Sequence, residues 1–261
     1  MKMDIFNIFS WNSLRNFNYI IKYSSNKAIL IDPSSPVVLS KFLEENQLQP
    51  TTVINTHHHF DHTNGNSFFV NNFNCDLYVP VNSNIWGESG VLWDKDIINL
   101  DEWAYLQAYH TPGHTYDHIS FWLYENNKLE ALFSWDSFFN AWIGNCYSWD
   151  SKMAYNTVKD FYLQLPWEVK IYPGHDYMQT NLKFSLDVEP DNQYTIDLLN
   201  DTQKKQPWEV VTNIDLEKKI NPFLRFANNK IKESIKVKFN LSYLPSEEET
   251  FLKLRELRNN W

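Results

Sequence analysis

A chain of 261 residues, 43% hydrophobic and 21% charged, has the makeup of an ordinary globular protein, long enough for one large domain or a medium one with an appendage, which sets aside disorder and fibres. Its formal charge of -9 repels nucleic-acid phosphate and anionic lipid unless basic residues gather locally, so neither is expected as a partner. No run approaches the roughly 18 to 20 apolar residues of a bilayer span, and Cys75 and Cys146 are too isolated for a disulfide framework, which fits a reducing, cytoplasmic setting.

The first 23 residues interrupt their apolar positions with Asp4, Asn7, Asn12, Arg15 and Asn18, unlike a signal peptide. Strands are predicted over 4–9, 17–23 and 27–33, the last ending at a proline. Pro36 opens a predicted helix over 36–48, with Val38, Phe42 and Leu43 at helical spacing, and the β-branched run TTVIN then leads straight into NTHHHFDHTNGN at 55–66. A short helix over NSFFVNNF, a strand at CDLYVP and several β-like runs across 97–134 follow. SKMAYNTVKDFYLQL at 151–165 reads as an amphipathic helix, and VKIYPGH at 169–175 as a strand delivering a histidine.

Alternation of strands and helices points to a layered α/β domain over 1–175. From 176 the texture becomes polar with helical spacing, near 176–186, 191–205, 214–220 and 228–237, which predicts a small helical domain over 176–261. Its last helix starts at PSEEE, a capping box in which Ser246 accepts from the backbone while Glu249 reaches back.

His57 and His59, two apart just after a strand, lie on one side of an extended segment and converge on one ion. Asp61 and His62 follow on the turn and face a second position. His114, Asp136 and His175 each stand just beyond a predicted strand, where remote ligands can gather without disturbing a core. Five histidines and two aspartates suffice for two divalent cations with an aspartate between them. Without thiolates, the set suits Zn²⁺ foremost, with Fe or Mn²⁺ as alternatives, at a catalytic rather than a closed structural site. Singly, each histidine reads as a satisfied polar group or a surface residue.

The motif His57-x-His59-x-Asp61-His62, with His114, Asp136 and His175 beyond it, resembles the metallo-β-lactamase superfamily. The resemblance implies an αββα sandwich with the metals at one edge. In it His57, His59 and His114 hold one metal, Asp61, His62 and His175 hold the other, and Asp136 bridges, so Asp61 and Asp136 are the carboxylates of the catalytic centre. TPGHT, YPGHDY, NPFLR at 221–225 and the terminal LRELRNNW are similar to glyoxalase II, the hydroxyacylglutathione hydrolase family, over nearly the whole chain.

That likeness implies hydrolysis of an S-(2-hydroxyacyl)glutathione such as S-lactoylglutathione to lactate and glutathione by a metal-bridging hydroxide, in a cytoplasmic monomer serving methylglyoxal detoxification. It further implies that Arg255 and Arg258 hold the carboxylates of glutathione, with Tyr147 and Tyr177 lining the same site; a guanidinium suits a carboxylate, and an acidic protein needs such a local basic patch. Without the resemblance, the two arginines read as a solvated last helical turn. Other reactions on this scaffold, an iron-dependent persulfide dioxygenase or a lactonase, and a catalytically impaired glutathione-conjugate-binding module are the competing readings. A nuclease is disfavoured by charge.

Several positions depart from the family pattern. Asn145 stands where a lysine or arginine is usual in the substrate site, removing one cationic contact. Trp135 replaces the glycine before Asp136 and is expected at negative φ, narrowing the pocket, because a bulky residue adopts positive φ only at a cost. NGN replaces GGN after the histidines, with Asn64 able to take positive φ, and Asp117 replaces a glycine, reading as a turn carboxylate ahead of the alternative, an acceptor for a ligand histidine. His58 and His118 are read as supporting residues, His110 as structural, and Trp142, Trp149 and Trp167, lacking a cationic groove, as packing rather than a base-stacking platform.

Overall fold

The computed structural model describes residues 2–261 and divides them into two compact units. One unit holds the chain up to Thr111, together with Asp117–Trp135 and Tyr172–Asp176. Its strands and helices, in chain order, are β1 (Asp4–Phe9), β2 (Phe17–Tyr23), β3 (Lys27–Ile31), α1 (Pro36–Glu45), β4 (Gln49–Ile54), α2 (Phe60–Thr63), α3 (Asn66–Phe73), β5 (Asp76–Pro80), β6 (Gly90–Leu92), β7 (Ile97–Asp101), β8 (Ala104–His110), β9 (Ile119–Glu125) and β10 (Lys128–Trp135). Strands β1 to β6 form one sheet in sequence order, antiparallel through β3 and parallel from there on. Strands β7 to β10 form an antiparallel second sheet, which β13 (Lys170–Pro173) extends at its β10 edge.

Side-chain alternation builds the layers. Tyr19 and Ile21 of β2, Ile29 and Ile31 of β3 and Ile54 of β4 share one core with Leu106, Phe121, Leu123 and Phe133 of the second sheet. Ile20, Leu30 and Val53 point the other way, onto Leu39 and Leu43 of α1 and Phe69 of α3. Burying an aliphatic side chain of this size is worth about 1.5–3 kcal/mol, so the two faces together dominate the stability of the unit.

Local chemistry sets the boundaries. Pro36 sits in the first turn of α1, where a missing N–H costs nothing. That helix stops at Glu45 rather than running to 48, because Gln47 turns left-handed at φ 53° and Leu48 N–H closes onto Leu43 O at 2.8 Å. Between β9 and β10, Asn126 and Asn127 both take positive φ, 51° and 61°, the two-residue hairpin turn that asparagine tolerates.

The second unit comprises Pro112–Tyr116, Asp136–Ile171 and Tyr177–Trp261, so the helical tail shares its unit with two earlier stretches of chain. Its elements are the hairpin β11 (Phe138–Phe139) and β12 (Trp142–Ile143), then α4 (Ser151–Asp160), α5 (Met178–Val188), α6 (Gln193–Thr202), α7 (Ile214–Ile220), α8 (Asn229–Lys238) and α9 (Glu247–Asn259). Tyr155 of α4, Phe223, Phe226 and Phe251 of α9 pack edge to face at 5.3 to 5.9 Å. Asp150 caps α4 through Met153 N–H, and Ser246 caps α9 through Glu249 N–H at 3.2 Å. The expected capping box is half made, since the Glu249 carboxylate accepts instead from Tyr243 Oη at 2.5 Å.

Candidate active site

In the first unit, strand β4 ends at Ile54 and the chain turns through Asn55–His59 into α2, which brings five ionisable side chains together with the residue after Gly174. His57 Nε2 and His59 Nδ1 stand 3.0 Å apart. His62 Nε2 and His175 Nε2 stand 3.3 and 3.5 Å from the same Asp61 oxygen, Oδ2, and one donor atom from each of Asp61, His62 and His175 falls within 4.8 Å of the others. Those two separations match the edge of a tetrahedron, about 3.4 Å for a centre roughly 2.1 Å from each ligand.

The imidazoles of His57 and His175 are each held by the other nitrogen. The Thr56 hydroxyl donates to Asp32 Oδ2 at 2.5 Å and lies 2.9 Å from His57 Nδ1, so it accepts from that N–H and places the ring's proton on Nδ1. The Nδ1–H of His175 donates to Leu14 O at 2.8 Å with the same result. Asp32 Oδ2 lies 3.3 Å from His62 Nδ1, and Asp32 Oδ1 accepts from Thr56 N–H at 2.8 Å. Burial pushes the Asp32 carboxyl up, against the hydrogen bonds and charge of its neighbours His62 and Thr56.

In the second unit, His114 Nε2 and Asp136 Oδ2 stand 3.5 Å apart. The Nδ1–H of His114 donates to Asn145 O at 2.8 Å. Gly144 makes that approach feasible, since a Cβ there would stand 1.7 Å from Asp136 O and 3.1 Å from His114 Nδ1. The same segment opens onto a cavity of about 550 Å³, whose lining includes Asn145, Cys146, Tyr147, Tyr177, Arg258 and Trp261. The Tyr147 ring packs edge-on to His114 at 5.3 Å, so one short loop touches a metal-type ligand and lines the cavity.

The expected substrate residues divide. Tyr147, Tyr177, Asn145 and Arg258 line the cavity. Arg255 does not: it is 1% exposed, with its guanidinium over the Trp142 and Phe223 rings, and it donates to Ile143 O, Gly144 O and Asn145 Oδ1 at 3.1 to 3.2 Å. Burial lowers its pKa to about 10, which leaves it charged at neutral pH. Arg258 lies over Trp142 at 4.8 Å and Trp261 at 5.1 Å.

Trp135 corrects the expectation. Its φ is +45° and its side chain is fully buried. The indole packs 5.0 Å from Tyr19 and donates Nε1–H to His62 Nδ1 at 3.0 Å. Burial of a large aromatic, worth about 1.5–3 kcal/mol, outweighs the roughly 1–2 kcal/mol of a left-handed backbone. Asn64 stays right-handed at φ -62°, and Gly65 is the residue the fold needs small, because a Cβ there would meet Pro33 O at 2.0 Å.

Asp117 pairs with His58, outside the ligand set, at 2.8 Å, and His118 Nδ1 meets Thr111 Oγ1 at 2.9 Å. Sequence reasoning overlooked Asp32 and also Asn16, whose Nδ2 donates to Asp61 Oδ2 at 3.0 Å. An aspartate before a proline at the end of a buried strand is the signal that marks the first, while an isolated asparagine in a hairpin loop gives none.

Two matched sheets with helices on one outer face, and histidines and aspartates at the strand ends, define a protein of the metallo-β-lactamase class. The model of that superfamily matches residues 14–129, and the model of the hydroxyacylglutathione hydrolase C-terminus matches residues 176–261. The chain is 35% identical over 256 residues to a hydroxyacylglutathione hydrolase of Nitrosococcus oceani, covering 96% of this chain and 97% of that one. It is likewise 35% identical over 260 residues to one of a Polaromonas species, covering 97% and 98%. Among solved structures it is similar to ETHE1 from Myxococcus xanthus, with a TM-score of 0.65 and 23% identity over 98% of both chains, a likeness of fold. The chain belongs to the hydroxyacylglutathione hydrolase family. Its fold and its His/Asp donor set, without thiolate, are those of a divalent-metal-binding protein. Among the described residues no helix is long and apolar enough to cross a membrane.

Proposed function

We propose that this protein hydrolyses S-(2-hydroxyacyl)glutathione thioesters, with S-lactoylglutathione as the representative substrate. The observation that carries the reading is the loop at 143–147, whose carbonyl at Asn145 fixes a ligand-type histidine while its side chains line a cavity with an arginine and two tyrosines. In this reading His57, His59 and His114 would hold one zinc ion and Asp61, His62 and His175 a second, with Asp136 as the carboxylate that would complete the centre. When bound, the pair supplies Lewis acidity and a water whose pKa falls toward 7.

The chain's own residues do the rest. Thr56, Asn145 and Leu14 hold the protons of His57, His114 and His175 on Nδ1, so that each ring turns its Nε2 lone pair inward. Arg258 takes a glutathione carboxylate, Tyr147 and Tyr177 flank the tripeptide, and Arg255 and Asn145 shape the loop between them. A thiolate of pKa near 8.5 leaves without a dedicated acid, which is why no further proton donor is required. The enzyme acts as a cytoplasmic monomer.

Replacing Asp136 by Ala tests the centre. Thiol release from the glutathione thioester is expected to fall on the order of 10³-fold or more while the circular dichroism spectrum is kept. Near-normal turnover by that variant, or a preference of the native protein for coenzyme A thioesters over glutathione thioesters, would sink the reading.

A further inference from the structure

The turn between β1 and β2, residues 10–16, belongs to neither ligand-bearing loop, yet it reaches both. Asn16 is wholly buried and its Nδ2 donates to Asp61 Oδ2 at 3.0 Å. Its amide is held in that orientation from behind: Oδ1 accepts from Asn12 Nδ2 at 2.8 Å, and Asn12 Oδ1 accepts from the Asn16 backbone N–H at 3.1 Å. With Oδ1 so occupied by a donor, the end facing Asp61 can only be the NH₂ group.

The same turn clamps the other side. Leu14 O receives the His175 Nδ1–H, Phe17 N–H donates to Gly174 O at 2.8 Å, and Asp176 N–H donates to Arg15 O at 3.0 Å. Arg15 also pairs with the Asp176 carboxylate. Trp11 and Arg15 both hold positive φ, 54° and 59°, without being glycine, a conformation retained only where the surroundings over-determine it.

We infer that Asn16 is a positioning residue for the second metal ion: it fixes the Asp61 carboxylate against His62 and His175, with Asn12 locking its amide. This rests on the dinuclear reading above. It concerns how the ligand is aimed, not whether it binds.

The test compares metal content and chelator extraction of native protein, Asn16→Leu and Asn12→Ala, each reconstituted with zinc. The native protein is expected to retain two ions per chain. Asn16→Leu keeps the branched outline of the side chain without the donor and is expected to bind its second ion roughly 10- to 100-fold more weakly, retaining near one ion after gel filtration, with the first ion's release rate unchanged. Asn12→Ala, at an exposed position where folding is not at stake, is expected to shift second-ion release in the same direction by a smaller factor.

Melting temperatures of the metal-free forms separate aiming from folding, and the Asn12 variant is expected to match the native protein there. Unchanged second-ion release in both variants overturns the inference, as does a loss of metal matched by an equal loss of metal-free stability in both. A native protein that holds fewer than two ions overturns the dinuclear reading first and this inference with it.

Discussion

Arg255 donates from Nη2 to Asn145 Oδ1 at 3.2 Å, and the carbonyl of that same asparagine receives the Nδ1–H of His114 at 2.8 Å. A residue expected to touch substrate thus holds the loop that holds His114. Arg255→Met keeps length and loses every donor, leaving the carbonyls of Ile143 and Gly144 without it; unfolding in urea is expected to show a loss of about 2–5 kcal/mol. Arg258→Ala is expected to behave differently, raising KM roughly 10- to 100-fold through the lost carboxylate contact while costing only about 1–2 kcal/mol of stability. Equal effects of the two variants on KM with none on stability would contradict this division of labour.

Trp135 poses a contest of magnitudes. Trp135→Gly relieves the left-handed backbone, about 1–2 kcal/mol, but empties a fully buried site, which costs about 3–5 kcal/mol for an aromatic truncation. A net loss of about 1–4 kcal/mol is expected by denaturant unfolding. A stabilised variant would show that strain, not packing, governs the position.

Glu217 sets a pH dependence. Burial raises its carboxyl to about 7, although Thr212, Ala141 N–H, Asn221 and Asn140 all donate to it. The folded state therefore holds its proton more tightly than the unfolded state, whose value is near 4.5. This contribution to stability is fully present below about pH 4.5 and is lost as pH rises through about 7, an amount of roughly 3 kcal/mol. Unfolding free energies measured across pH 4.5 to 8 are expected to fall over this window by that contribution, and Glu217→Gln is expected to remove that slope. An identical slope in the variant would assign it to other groups.

Much of the His/Asp clustering was legible in the sequence because side-chain spacing is a local property: two residues apart on an extended segment means one side, and a histidine after a strand means a sheet edge. Elements with strong periodicity, such as α4 and the β2–β3 hairpin, were legible for the same reason. The conformation of Trp135 was not, since a backbone preference of one or two kilocalories yields to tertiary packing that no neighbour in the sequence announces. Arg255 was placed by resemblance to a family motif, and the motif carries no record of whether a guanidinium faces outward or folds beneath its own loop. Asn16 reaches Asp61 across 45 residues, and its isolated side chain has no pattern around it.

Gly144, where even a methyl group would overlap the carbonyl of Asp136, marks a limit on how this protein can vary over evolutionary time. A close-packed backbone crossing of that kind has no neighbour that can move aside, because the obstructing atom is itself main chain. Random mutagenesis with selection for activity should therefore return glycine at this position.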